Sequence, residues 1–256
     1  MINNPKISIN IVTYNRDKYL LKAIDSVLAQ DFLDWELIIV DDGSTDNTYS
    51  LVKKYQIKYK QIKYIKNEIN LGIVKSRNKA LNNSTGKYIA VLDSDDIWCN
   101  SNKLSKQYEV LEKENMVLVG GGIIEIDSDD LEKNKYFNPV FDEIIRKKIL
   151  YRNPFAHSTT VFNRMLAIKI GGYRDFAIGE DYDLFLRLGL LGKMKNIRDY
   201  FVKYRIHKQN ECSRKKVIAL KNNLEIIKEY KGKYPRYFYA FLRRTSRLFI
   251  GYLIFR

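Results

Sequence analysis

Four short apolar runs punctuate the first hundred residues: Ile7 to Val12, Glu36 to Val40, Ile62 to Ile65 and Tyr88 to Leu92. Rich in Ile and Val and bounded by turn-forming residues, they predict strands. The stretches between them, about Lys18 to Gln30, Asn47 to Tyr55 and Gly72 to Asn83, read as helices. Strands alternating with helices imply βαβ units and a mostly parallel, Rossmann-like sheet flanked by helices, an α/β fold. The strands lack polar alternation, which fits burial on both faces. In the second half, Val117 to Ile126 reads as a strand with a glycine-rich interruption. Residues 141–151, 164–170 and Asp181 to Leu190 read as helices, the last following a glycine turn. The expected division is a main domain over 1–210, closing near Asn210, and a helical tail over 211–256.

In open α/β sheets, ligands bind beyond the carboxyl ends of the strands. Three strand ends here carry polar clusters: Thr13-Tyr14-Asn15, Asp41-Asp42-Gly43-Ser44 and Asp93-Ser94-Asp95-Asp96. Carboxylates crowded on one loop repel each other unless a cation or basic side chain lies between them. The Asp93 to Asp96 loop therefore reads as a site for Mg²⁺ or Mn²⁺ shared with a substrate phosphate, or else as an acidic turn capping the next helix. Asp42 reads as a ligand for a nucleobase or ribose, and Ser44 or Asp46 as a helix cap. Glu180 and Asp181 open a helix whose dipole keeps a carboxylate ionised, so they read as acceptors of a hydroxyl proton or else as an ordinary acidic first turn. His207 reads as a structural histidine or else as a candidate ligand for a cation or phosphate. His157 reads as loop or acceptor-side lining.

Composition narrows the class. The chain of 256 residues carries a net charge of +15, which implies an anionic partner. From Ser213 onward twelve Lys and Arg face only Glu225 and Glu229, so the charge is concentrated in the tail. A nucleic-acid-binding role is disfavoured because the three strand ends that should face a ligand are acidic. A non-catalytic scaffold is the other alternative, and the presence of the key carboxylates weighs against it. Cys99 and Cys212 form no CxxC pattern, which argues against a disulfide framework or a zinc site. No signal peptide or membrane-spanning run is legible, so a cytoplasmic protein is expected.

Taken in order, several segments resemble family 2 of the inverting glycosyltransferases, which have the GT-A fold. These are Ile9 to Asn15, Val40 to Asp46, Asn70-Leu71-Gly72 with Arg77-Asn78, Tyr88 to Asp96, Gly171-Gly172-Tyr173, Gly179 to Leu184, and Tyr204-Arg205-Ile206-His207. Val12 departs from the pattern, since many relatives carry proline there. The resemblance implies a metal-dependent hexosyl- or N-acetylhexosaminyl-transferase using a nucleotide sugar, by family frequency a UDP-sugar. Thr13, Tyr14, Asp42 and Arg77 would hold the nucleotide portion. Asp93 would contact the ribose or donor sugar. Asp95 would bind the metal, with Asp96 as its alternative or a further donor contact, and His207 would complete that site. Asp181 would be the general base, with Glu180 and His157 on the acceptor side. The acceptor would be a glycan or lipid-linked oligosaccharide in bacterial surface polysaccharide synthesis.

The tail from Lys233 interleaves aromatics and aliphatics with Arg and Lys, as a helix lying on a membrane surface requires. This places the protein on the inner face of the plasma membrane. The competing readings are a helix packed on the domain or an oligomer contact.

Overall fold

The computed structural model describes residues 4–176, 178–207 and 216–254. Strand β1 (Ile7–Thr13) is the spine of the first half. It pairs in parallel with β2 (Trp35–Asp41) and β4 (Tyr88–Val91), while β3 (Ile62–Lys66) adds in parallel beyond β2. The crossovers are helices α1 (Asp17–Leu28), α2 (Thr48–Lys58) and α3 (Ile73–Asn83).

Strand periodicity sorts the side chains. In β2, Leu37 and Ile39 pack with Leu20, Ile24 and Val27 of α1, whereas Ile38 and Val40 face Ala80 of α3. The same alternation puts Ile7, Ile9 and Ile11 on the α1 face and leaves Ser8 and Asn10 buried on the other. Both polar residues are satisfied there. Ser8 donates to Glu36 Oε1 at 2.6 Å, and Ser84 donates to Asn10 Oδ1 at 2.9 Å.

The second half contains β5 (Ile97–Trp98), α4 (Lys103–Lys113), β6 (Met116–Ile126), β7 (Glu132–Tyr136), α5 (Asp142–Lys148), β8 (Val161–Asn163), α6 (Arg164–Lys169), α7 (Glu180–Gly189) and β9 (Lys193–Arg205). Among the described residues the strand order is β3-β2-β1-β4-β8-β6-β9-β5, with β7 pairing β6. Beyond β4 the sheet is mixed. β8 runs antiparallel to both neighbours, β7 and β5 are antiparallel additions, and β6 pairs β9 in parallel. The parallel expectation thus holds for the first four strands. β6 and β7 are joined by residues 127–131, too short a link for a parallel crossover.

The glycine run in β6 has a packing reason. A Cβ at Gly121 would collide with the Phe201 ring, and one at Gly122 with the Phe137 ring. Both glycines let an aromatic ring lie directly on the strand. The register also shifts between Gly121 and Gly122, a bulge within the long pairing with β9.

Beyond the stretch 208–215, which includes the expected boundary at Asn210 and Cys212 and lies outside the described residues, the chain forms α8 (Lys216–Lys228) and α9 (Tyr237–Ile254). Leu224, Ile226, Ile227, Tyr230, Tyr234 and Ala240 belong to the same buried cluster as Leu184, Phe185 and Leu188 of α7. The inner side of the tail is therefore part of the main core. Ile226 and Ile227 alone, fully buried, each contribute roughly 1.5–3 kcal/mol by removal from water.

Candidate active site at the carboxyl ends of the strands

The loops after β1 and β2 are laced to each other. Asn15, at φ 50°, donates its backbone N–H to Ser44 Oγ at 2.9 Å, and its side-chain oxygen accepts from Thr45 N at 2.9 Å. Asp46 accepts from the first backbone N–H of two helices, Thr48 N and Asp17 N, both at 3.0 Å. Of the two residues expected to cap, Asp46 thus satisfies helix N–H groups, while Ser44 ties the loops together. Within this scaffold the Thr13 hydroxyl is buried with no hydrogen-bond partner among the described residues. Such an orphan costs about 1–3 kcal/mol and marks a place where a ligand's polar atom would be accommodated. Tyr14 is exposed at the rim.

Asp42, expected on the nucleoside, is held from several sides. Its carboxylate is buried and accepts from Asn67 Nδ2, Leu71 N and Ser76 Oγ at 2.8 Å, and from Gly72 N at 2.9 Å. These four protein donors, three on Oδ1 and one on Oδ2, tie the Asn67 to Gly72 loop and α3 to the end of β2.

The acidic loop after β4 separates three carboxylates by environment. Asp96 is almost fully buried, accepting from Ser158 Oγ at 2.5 Å and from Arg205 N at 2.8 Å. Burial, reinforced by the charges of Asp95 and Asp93, pushes its carboxyl well above the usual range. Asp96 therefore ties the loop to β9 and to the Ser158 turn. Asp95 is the more open of the two, with its side chain 20% exposed. His207 Nε2 lies 2.8 Å from Asp95 Oδ2, and Arg16 Nε lies 4.0 Å from the same oxygen. His207 stacks on Tyr19 with ring centroids 5.6 Å apart. A cavity of about 610 Å³ opens beside this group, lined by Asn15, Arg16, Lys18, Tyr19, Ser128 and His207 among others.

Asp95 and His207 offer one carboxylate and one imidazole. Among the described residues no group of three or more His, Cys, Asp or Glu is placed to hold a metal ion. Two protein ligands suit a cation that takes its remaining oxygens from water and a substrate phosphate, as Mg²⁺ does. Arg16 and Lys18 supply further positive charge on the same side.

Asp93 connects this edge to α7. Arg77 Nη2 donates to Asp93 Oδ1 at 2.9 Å, and Arg77 Nη1 pairs with Glu180 Oε1. Burial raises the Asp93 carboxyl, but Arg77 and then His157 more than reverse this and hold it well below the usual carboxylate range. Burial pushes Glu180 upward, partly offset by Arg77 and reinforced by Asp181. Arg77, expected on the nucleotide-sugar, is thus a mostly covered link between two carboxylates, and Glu180 beside it is buried. His157 is buried too, with Nδ1 at 3.3 Å from Asp93 Oδ1 and Nε2 at 3.0 Å from the Tyr173 hydroxyl. His157, expected on the acceptor side, thus lies between Asp93 and Tyr173. Asp181, the neighbour of Glu180, is only partly buried and accepts from Asn153 Nδ2 at 3.1 Å. Gly179, at φ 98°, starts α7 in a left-handed conformation that a side chain would strain.

The structure therefore brings Thr13, Tyr14, Asp93, Asp95, Asp181 and His207 to one edge, with Arg77, Glu180 and His157 as mostly covered supports. Sequence reasoning missed Arg16, Asn153, Ser158 and Tyr173 as contributors. Arg16 directly follows the Thr13-Tyr14-Asn15 cluster and was legible by position, whereas the others have meaning only through contacts more than 15 residues away.

Comparison with known proteins bears on the family and the fold. A sequence model of the family described as Glycosyl transferase family 2 matches residues 8–171. The chain is 32% identical over 226 residues to the Escherichia coli UDP-Glc:alpha-D-GlcNAc-diphosphoundecaprenol beta-1,3-glucosyltransferase WfgD, covering 88% of this chain and 86% of that one. Among solved structures, TarS residues 1–349 of S. aureus in complex with UDP-GlcNAc superimposes with a TM-score of 0.74 at 21% identity, covering 93% of this chain and 72% of that one. The mannosyltransferase PcManGT of Pyrobaculum calidifontis, in complex with GDP-Man and Mn²⁺, gives 0.72 at 18% identity, covering 96% and 70%. These two likenesses establish the fold.

Proposed function

The chain belongs to glycosyl transferase family 2, and on that premise we propose that it is an inverting, metal-dependent transferase of a hexosyl or N-acetylhexosaminyl unit from a UDP-sugar to a lipid-linked glycan hydroxyl. The observation that carries this reading is the linked row Asp95–His207, Asp93–Arg77–Glu180 and Asp181 along one sheet edge. On this reading the Asp95–His207 end faces the donor diphosphate and Asp181 faces the acceptor hydroxyl. The UDP donor and lipid-linked acceptor are supported by the names of the WfgD and TarS proteins. An acceptor of this kind places the work at a membrane face, in surface polysaccharide assembly.

Asp181 accepts the proton of the attacking hydroxyl. Asn153 holds one of its oxygens, which leaves the second for that proton. The acceptor oxygen then attacks the anomeric carbon opposite the nucleotide, and the single displacement inverts the configuration. Asp93, kept ionised by Arg77, orients the donor by accepting hydrogen bonds from its hydroxyls. Thr13 and Tyr14 hold the nucleoside. Arg16 and Lys18 offset the charge of the departing diphosphate. Asp95 and His207 would hold a Mn²⁺ or Mg²⁺ ion, which when bound supplies Lewis-acid stabilisation of the leaving group.

The test is a panel of sugar nucleotides with Mn²⁺ and a lipid-linked acceptor, run with Asp181→Asn. Turnover should fall on the order of 10²-fold or more with donor affinity nearly unchanged. Loss of donor binding with retained turnover would move Asp181 to the nucleotide and overturn the mechanism.

A further inference from the structure

Helix α9 has two apolar faces, and only one is used. Ala240, Arg244 and Gly251 face inward and are buried. Arg244 Nε donates to Leu150 O at 2.6 Å and Nη2 to the Tyr182 hydroxyl at 2.9 Å, which fixes the helix to α7. A Cβ at Gly251 would come within 2.7 Å of Leu220, so α8 backs the helix closely. This inner face is complete.

The outward face is not covered by any described residue. Phe238, Leu242, Phe249 and Leu253 fall on one stripe at 3.6-residue spacing, with Tyr239 and Ile250 beside it. Phe238, Tyr239, Phe249 and Leu253 are each 65–69% exposed. Together the six side chains expose on the order of 600 Å² of apolar surface, at the upper end for a monomer. Thr245 and Ser246, the polar residues within the stripe, spend their hydroxyls on Phe241 O and Leu242 O of the same helix, each at 3.0 Å. Arg243 and Arg247 are exposed along one flank. From Tyr230 to Arg256 the sequence contains no Asp or Glu.

We propose that the outward face of α9 docks on an anionic lipid bilayer, with its apolar stripe at the headgroup boundary and Arg243 and Arg247 on lipid phosphates. This deepens the reading of the protein as a transferase working at a membrane face. Charge decides between a bilayer and a second copy of the chain. A two-fold contact through this stripe would bring like cations together with no carboxylate to pair them, whereas an anionic bilayer supplies the missing charge. The helix is about 27 Å long and lies flat against the domain, so it presents its whole length at once. No helix of the described residues is long and apolar enough to cross a membrane. The net charge of +15 adds long-range attraction to the same surface.

The experiment is co-sedimentation of the full chain with phosphatidylcholine vesicles and with vesicles containing about one-third phosphatidylglycerol, at low and high salt. Binding is expected only to the anionic vesicles and should weaken with salt. The variants L242D/F249D and R243E/R247E should each lose binding on the order of tenfold or more. Both pairs are exposed, Arg243 giving up one long hydrogen bond to Tyr151 O at 3.4 Å, so thermal melts should stay cooperative. If the aspartate pair does not fold, the charge-reversal pair and the lipid and salt dependence of the unaltered chain decide the question. Undiminished binding by a folded variant, or no binding by the unaltered chain, would overturn the proposal. So would a dimer in analytical ultracentrifugation that L242D/F249D dissolves, since the stripe would then belong to a second copy. UDP binding measured without vesicles reports on the transferase reading independently.

Discussion

Replacing Arg77 by Met would remove a mostly covered cation and leave two carboxylates facing the gap. The guanidinium side chain is only 11% exposed, and Glu180 is 10% exposed. Breaking a buried ion pair by deleting one partner costs about 3–5 kcal/mol, because the survivor is stranded without its counter-charge. Asp93 is 31% exposed and keeps His157, so its share is discounted and the low end applies. A loss of about 3 kcal/mol at pH 8 is expected, or roughly 6–12 °C in Tm for a chain of this size. The loss should depend on pH. Glu180 already titrates above its ordinary value, from burial first, and Arg77 is the main influence holding it down. Without Arg77 the folded-state value rises further. The folded variant then binds more protons than the unfolded chain between the ordinary and the raised value, so its stability falls as pH rises through that window. The deficit should therefore shrink by up to about 1.4 kcal/mol per pH unit as Glu180 takes up its proton. Urea unfolding followed by Trp35 and Trp98 fluorescence at pH 5.5 and pH 8 reads this directly, and Arg77→Met/Glu180→Gln should recover most of the loss at pH 8. A deficit under about 1 kcal/mol, no pH dependence, or no recovery in the double variant would refute the stranded-carboxylate reasoning.

Two further expectations concern separate parts of the molecule. Lys103 is wholly buried, its ammonium 2.7 Å from Gln107 Oε1 and 4.1 Å from the centroid of the Trp98 ring, and burial pushes its pKa well below the usual lysine value. Between that depressed value and the unfolded value near 10.4 the unfolded chain binds the extra proton, so stability rises with pH across the window. Lys103→Met should stabilise by about 1 kcal/mol at pH 7 and by less toward pH 10 in urea unfolding; a loss at both values would show that the Gln107 and Trp98 contacts outweigh the burial cost. Asp95→Ala should reduce donor affinity tenfold or more in calorimetric titrations with Mn²⁺, and EDTA should do the same to the unaltered chain. Equal donor affinity with and without metal would leave Asp95 and His207 as a simple hydrogen-bonded pair.

What the sequence determined alone was whatever rests on local periodicity. The first four strands, their crossover helices and the three polar strand ends are all visible as short apolar runs stopping at Thr13, Asp41 and Asp93, because a strand buried on both faces leaves an uninterrupted apolar signature. β9 gave a weaker signal, since its Lys193 to Arg205 run alternates with charged residues along a partly exposed strand. Yet the pairing of β9 with β6 returns the chain to the acidic loop and sets His207 beside Asp95 across 112 positions. The carboxylates show the same limit. An Asp is an equally good ligand or anchor by composition, and only the donors that the fold brings to it decide which. Asp42 and Asp96 meet donors from α3, β9 and the Ser158 turn and become anchors, whereas Asp95 and Asp181 remain partly open. Arg77, Glu180 and His157 likewise carry charges whose role depends on what buries them. In the tail, the sequence shows a basic helix with apolar residues on nearly every side. Only the packing of Ala240, Arg244 and Gly251 against the core determines which stripe is left facing outward, because a helix apolar all round can be buried from either side.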